Sequence, residues 1–252
     1  MTTLHELSHY LHTALQSDSF SDYCPNGIQV RGQEQIKRIV TGVSASMALF
    51  EGAQACSAEL ILVHHGLFWN KDSRVVDGML KNRLKWLLER DVTLMGYHLP
   101  LDAHPEWGNN AQILKRLGLV NSEPFGGYKG NTISYVGHYS EPQTIEQVSE
   151  QFENLFGGEP LILPFGPKQI SRVAVCSGGA SDLVHEAATV GADLYLTGEP
   201  SEPAYHVAQE MGIHFAACGH HRTEMFGVQA VGEHLAEKFG LDHTFINIPN
   251  PI

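Results

Sequence analysis

The sequence predicts an α/β protein built from two related α/β units with mostly parallel sheets. Two observations lead there: short β-branched runs alternate with amphipathic helical stretches along most of the chain, and the order of those elements repeats within it. Hydrophobic residues make up 42% of the 252 positions and charged residues 17%, enough apolar material for sizeable cores.

The elements follow in order. Leu4, Leu7, Leu11 and Leu15 recur at helical spacing and predict an opening amphipathic helix. Pro25-Asn26-Gly27 suits a tight turn before a short extended piece, 28–30. A strand over 37–43 and a helix over 47–58 lead into Leu60-Ile61-Leu62-Val63, a buried strand that stops at His64-His65. Leu80, Leu84, Leu87 and Leu88 mark a helix over 79–89, and a strand over 92–97 runs into His98. A helix over 110–117 ends at Gly118. The glycine-punctuated stretch that follows contains an apolar run, 133–136, and a helix, 144–155. Alternation then resumes with strands over 172–176, 194–197, 213–218 and 244–248 and helices over 181–190, 203–211 and 221–238. This reading divides the chain into a first unit, 1–125, a bridging segment, 126–170, and a second unit, 171–252.

The repeat is visible on sliding the chain against itself. A shift of 134 lays Arg38 on Arg172, Leu49 on Leu183, Ala53 on Ala187, Glu59 on Asp193, Leu60 on Leu194 and Leu62 on Leu196. A shift of 122 lays the strand before His98 on the strand before His220, and Asp102 on Glu224, so each copy ends a strand in His-x-x-x-acid.

Charge and composition narrow the function. A formal net charge of −12 with no basic cluster argues against a duplex nucleic-acid partner. No stretch has the length of a membrane span, and the N-terminus lacks the features of a signal peptide, which predicts a cytoplasmic protein. Cys24, Cys56, Cys176 and Cys218 form no Cys-x-x-Cys, so reduced, mostly buried thiols are expected rather than disulfides or a thiolate zinc site. Fifteen histidines against sixteen Lys plus Arg is the anomaly, and it points to metal or proton chemistry.

Open α/β sheets place their chemistry at strand ends, and three strand ends here carry donors: His64 and His65, His98 with Asp102, and His220 with Glu224. Successive imidazoles on an extended chain point to opposite sides, so His64 and His65 suit two neighbouring ions. His220 and Glu224, one helical turn apart, can reach a single ion, although such a pair also stabilises a helix start locally. Asp102 is a ligand candidate in a loop, where an aspartate also commonly makes a turn. His98 is a ligand, a partner that orients Asp102, or a proton shuttle. Imidazole and carboxylate donors suit catalytic Zn, Mn, Fe or Ni, and their number suits two ions rather than one. Glu199 is placed to line the same pocket, His221 is a weaker substrate-side candidate, and Ser177-Gly178-Gly179 is either an anion cradle or a tight turn. His5, His9 and His12 fall on a surface helix face and receive no role.

Asp22-Tyr23 through Asn26-Gly27-Ile28-Gln29-Val30, then Val63-His64-His65-Gly66, His98-Leu99-Pro100-Leu101-Asp102 and Gly219-His220-His221-x-Thr223-Glu224 together resemble the GTP cyclohydrolase 1 type 2 family, also called NGG-interacting-factor-three-like proteins. The likeness spans nearly the whole chain and is closest to the short bacterial members. It implies two α/β domains facing a central metal-binding cleft, two divalent ions per subunit held by His64, His65, Asp102, His220 and Glu224, and a ring-shaped homohexamer. It also implies hydrolysis of a purine nucleotide or pterin-like substrate. The residues themselves offer His98 and Glu224 as the catalytic candidates, with His98 or a nearby acid moving protons. A non-catalytic metal-handling or scaffold protein is the alternative.

Overall fold

The computed structural model describes residues 2–252 and has the expected α/β character. In chain order the elements are β1 (Thr2–Thr3), α1 (Leu4–Ala14), β2 (Gly27–Val30), β3 (Gln35–Ile36), β4 (Arg38–Ser44), α2 (Met47–Ala55), β5 (Leu60–His65), α3 (Gly78–Glu89) and β6 (Thr93–Gly96). They continue with α4 (Leu99–Asp102), α5 (Asn109–Arg116), β7 (Val120–Tyr128), β8 (Asn131–Gln143), α6 (Ile145–Phe156), β9 (Leu161–Pro164) and β10 (Ile170–Val175). The last are α7 (Val184–Thr189), β11 (Leu194–Thr197), α8 (Glu202–Met211), β12 (His214–Ala217), α9 (His220–Thr223), α10 (Met225–Phe239) and β13 (Asp242–Phe245).

Contacts group the chain into two compact units, one comprising the chain up to Leu101 with Gly227–Ile248, the other Asp102–Phe226 with Pro249–Ile252. This differs from a division at 125 and 170. The stretch 126–170 is no bridge, because β7, β8 and β9 are hydrogen-bonded strands of the second unit's sheet. Helix α10 and β13 return to the first unit, where β13 pairs in parallel with β4. Linear order could not reveal that return, since edge pairing is decided by which sheet edge the chain reaches.

The first unit holds a five-stranded sheet in the order β13-β4-β5-β6-β2, parallel except for β2. Val40, Ile61, Val63 and Leu94 pack with Leu49, Phe50, Trp86 and Leu87 in one core, while Ile39, Leu60, Leu62 and Met95 are buried as well. A strand buried on both faces reads as the near-continuous apolar run seen in the sequence. Helix α1 starts in a capping box: the Thr3 hydroxyl accepts the Glu6 N–H, and the Glu6 carboxylate accepts the Thr3 N–H.

The second unit holds a six-stranded sheet, β7-β8-β10-β11-β12-β9, in which only β10, β11 and β12 run parallel. It is mixed rather than mostly parallel. Its β7–β8, β8–β10 and β12–β9 pairings are antiparallel; β7 and β8 are joined by a tight turn at Lys129 and Gly130, both with positive φ, a conformation that suits a two-residue hairpin. Alternation along the central strands feeds two cores. Val173, Val175, Leu194 and Leu196 pack with Phe152 and Ile113, whereas Ala174, Cys176, Tyr195 and Phe215 pack with Ala187, Ala204 and Ala208.

The internal repeat extends to hydrogen bonding. Ile39 pairs with Leu60 in one sheet and Val173 with Leu194 in the other, the same register under the 134-residue shift. Glu59 accepts the N–H groups of Lys37 and Arg38, and Asp193 accepts those of Ser171 and Arg172, again at that shift. For the third strand the register corrects the sequence reading: Leu60 pairs with Thr93 and Leu194 with His214, an offset of 121 within the strands. The offset of 122 between His98 and His220 arises beyond the strand ends, where the second copy carries one extra residue.

Candidate metal centre

In the first unit, His64 and His65 close β5. They do not diverge as an extended chain would require. Their ring centroids lie 4.7 Å apart, and one ring nitrogen from each of His64, His65 and His98 falls within 4.8 Å of the others. Both residues belong to β5, which ends at His65 before the chain leaves the sheet at Gly66. A Cβ at Gly66 would stand 2.2 Å from the Gln29 amide, which instead accepts the Leu67 N–H at 2.7 Å; the exit turn therefore needs a glycine.

His64 is fully buried, and its Nδ1 lies 2.9 Å from the Tyr97 carbonyl oxygen. A carbonyl can only accept, so Nδ1 carries the hydrogen and Nε2 the lone pair, the usual tautomer of a histidine prepared for a metal. His65 Nδ1 sits 3.1 Å from the Ser44 hydroxyl. His98 donates Nδ1–H to Asp22 Oδ1 at 2.8 Å, and its backbone N–H goes to Asn26 Oδ1 at 2.8 Å. Burial pushes the Asp22 carboxyl up, but the hydrogen bond from His98 and its electrostatic attraction, with donors from Asn26 and the Tyr23 backbone, outweigh this and hold it at about 2. Tyr23 and Trp69 pack their rings 5.4 and 5.3 Å from that of His98. His98 thus engages Asp22 rather than Asp102, while its ring also belongs to the group formed with His64 and His65.

In the second unit, Asp102 is not the loop-turn aspartate its neighbours suggest. It is the last residue of α4, buried, and its Oδ1 accepts from Asn109 Nδ2 at 2.8 Å and from the Ser177 hydroxyl at 3.2 Å. His220 Nδ1 donates to Glu199 Oε1 at 2.5 Å, and its Nε2 lies 3.1 Å from Glu224 Oε2. Burial opposes protonation of His220, yet the flanking carboxylates of Glu224 and Glu199 outweigh it and raise this imidazole to about 9. Burial pushes the Cys176 thiol up to about 12, helped by the charges of both Asp102 and Glu224, so this cysteine is an inert neighbour of the carboxylates.

Ser177-Gly178-Gly179 is not an open anion cradle. The Ser177 N–H donates to Asn110 Oδ1 at 2.7 Å and the Gly178 N–H to Thr223 Oγ1 at 3.0 Å. Its glycine serves close approach instead: Gly178 has φ +69°, and a Cβ there would stand 2.3 Å from Glu224 Oε1 and 3.2 Å from His220 Nε2. His221 is buried, with its N–H bonded to the Ile252 carbonyl, which does not suit a substrate-side role. His5 and His9 stack on each other along α1.

The donors fit a divalent cation. Each unit gathers imidazole and carboxylate at strand ends, its ring tautomers are set by protein oxygens, and in the second unit two carboxylates hold a positive charge on His220 where an ion would supply one. Asp22, Asn26, Asn109 and Asn110 were not singled out for these roles. The only signal in the sequence was that Asp22 and Asn26 lie within the resemblance motif; their partners are 76 and 72 residues away.

A family model described as Duf34/NIF3 (NGG1p interacting factor 3) matches residues 2–251. The GTP cyclohydrolase 1 type 2 homolog of Pseudomonas aeruginosa is 44% identical over 250 residues, covering 99% of this chain and 97% of that protein. The protein of the same name from Yersinia pestis is 46% identical over 249 residues, covering 98% of each. Among solved structures, protein ybgI matches with a TM-score of 0.93 at 44% identity, and TTHA1606 from Thermus thermophilus with 0.90 at 34%, each over 100% of both chains. The chain belongs to the Duf34/NIF3 family.

Proposed function

We propose that this protein is a metal-dependent hydrolase whose ligands for two divalent ions of the Zn, Mn, Fe or Ni class are His64, His65, Asp102, His220 and Glu224. The observation that carries this reading is that a strand-end histidine in each unit donates Nδ1–H to a protein oxygen, the Tyr97 carbonyl for His64 and the Glu199 carboxylate for His220. When bound, such ions supply Lewis-acid activation of water for hydrolysis.

The chain's own groups divide the remaining work. Asn109 and Ser177 hold the Asp102 carboxylate in place, and Glu199 orients His220. His98 keeps one proton on Nδ1 against Asp22 and takes up or releases another at Nε2, the general acid–base position. Glu224 is both a ligand and the acid that faces His220 Nε2. The substrate class is a purine nucleotide or pterin-like heterocycle, supported by the name GTP cyclohydrolase 1 type 2 homolog borne by close relatives. A net charge of −12 does not oppose a phosphorylated substrate, because bound cations invert the local field. On the family resemblance the protein works as a cytoplasmic homohexamer; among the described residues no helix is long and apolar enough to cross a membrane.

The test is element analysis of anaerobically purified protein, followed by a nucleotide and pterin panel on the same preparation. Two equivalents of metal, lost in the His64→Ala/His220→Ala double variant together with turnover, support the reading. Unchanged metal content in that variant overturns it. Metal without turnover, passed instead to a client protein, selects the metal-handling alternative.

A further inference from the structure

We propose that Asp22, Cys24 and His98 form a separate site for a thiophilic cation such as Zn2+, Co2+ or Cd2+. One ligand atom from each of the three lies within 4.8 Å of the other two, a span that one ion with bonds of about 2.0–2.3 Å bridges after a small inward rotation of the side chains. Cys24 and His98 are buried, and Asp22 Oδ1 and His98 Nδ1 already stand 2.8 Å apart. Among the described residues Cys24 is the one cysteine grouped in this way with two further donors.

The surrounding chain holds these donors in place. Asp22 Oδ2 accepts from Asn26 Nδ2 at 3.0 Å and from the Leu99 N–H at 3.0 Å. The carbonyls on either side of Cys24 are tied down as well, that of Tyr23 by the Asn70 N–H at 2.8 Å and that of Pro25 by Gln29 Nε2 at 3.0 Å. A rigid N, O and S set suits a borderline or soft ion and disfavours Mg2+ and Ca2+, which require oxygen ligands. The absence of a Cys-x-x-Cys motif gave no hint of this site, because its three donors come from two distant segments.

Binding releases the Cys24 thiol proton and the His98 Nδ1 proton, and the ion takes the place of the latter between His98 and Asp22. The cation thereby competes with the proton-carrying role of His98. That consequence, unlike the site itself, rests on the hydrolase reading, and it makes the site an inhibitory one.

Cobalt is the probe. Metal-stripped protein titrated with Co2+ is expected to develop a near-ultraviolet thiolate-to-cobalt charge-transfer band that Cys24→Ser abolishes and Asp22→Asn weakens, while Cys24→Ser still takes up the remaining cobalt. His64→Ala/His220→Ala is expected to retain the band, so that failure of the proposed dinuclear centre and failure of this site give different results. Absence of the band at saturating Co2+, or its persistence in Cys24→Ser, overturns the proposal. Should Cys24→Ser lose the wild-type circular dichroism spectrum, Cys24→Ala is read by the same two criteria.

Discussion

His220 Nδ1 and Glu199 Oε1 meet at 2.5 Å across 21 residues of chain, joining the end of β11 to the start of α9. Outer carboxylates of this kind orient a ligand imidazole and raise its basicity, and their removal commonly costs about 10–100-fold in metal affinity. Glu199→Gln is therefore expected to weaken metal retention by about that factor while leaving the fold intact. Competition against a chromophoric chelator measures it, and wild-type affinity in the variant would remove Glu199 from this role.

Gly178 permits the approach of Glu224 and His220. A Cβ added there would lie 2.3 Å from Glu224 Oε1, and the backbone is at φ +69°, where a side chain is strained. Gly178→Ala is expected to cost about 1–3 kcal/mol in unfolding free energy from strain and crowding, and to lower metal content as the carboxylate is displaced. Urea denaturation of the stripped protein and element analysis of the loaded protein check the two effects separately.

His98→Gln separates proton transfer from metal binding. General acid–base groups contribute about 10²–10⁴-fold to rate, so the variant is expected to lose kcat on that scale while keeping its full complement of the two ions. A parallel loss of those ions would make His98 a ligand of the dinuclear centre. Asp22→Asn is expected to follow His98→Gln in direction, with a smaller loss.

His243 supplies a pH dependence away from these donors. Burial holds it below its ordinary value, more than the charge of Glu233 raises it, and its Nε2 lies 2.9 Å from the Thr41 hydroxyl. The folded state thus binds this proton more weakly than the unfolded chain does. Above an ordinary histidine value of about 6.5 the stability is fully present; it falls as pH drops from there through the depressed folded value. Urea midpoints measured across this range are expected to decline in the wild type and to flatten in His243→Gln. An equal slope in both would exclude His243 as the source.

Local pattern carried much of this protein. The run from Leu60 to Val63, the alternation of strands and helices, and the 134-residue repeat are short-range or self-matching features, and each is determined by residues adjacent in sequence or duplicated along it. The donors at the ends of β5 and β6 and at the start of α9 were visible for the same reason: each begins where an apolar strand stops. What only the tertiary structure decided is partnership over distance. The 76-residue step from Asp22 to His98, the pairing of β13 with β4 across the chain, the antiparallel strands that make the second sheet mixed, and the convergence of His64 with His65 where the strand ends all depend on sheet order and on where each strand stops. Periodicity encodes which face of a strand is buried, but it does not encode which distant segment arrives at the edge of a sheet or beside the end of a strand. That is why the histidines were readable from the chain, while Asp22, Asn109 and the Cys24 donor set emerged only from the fold.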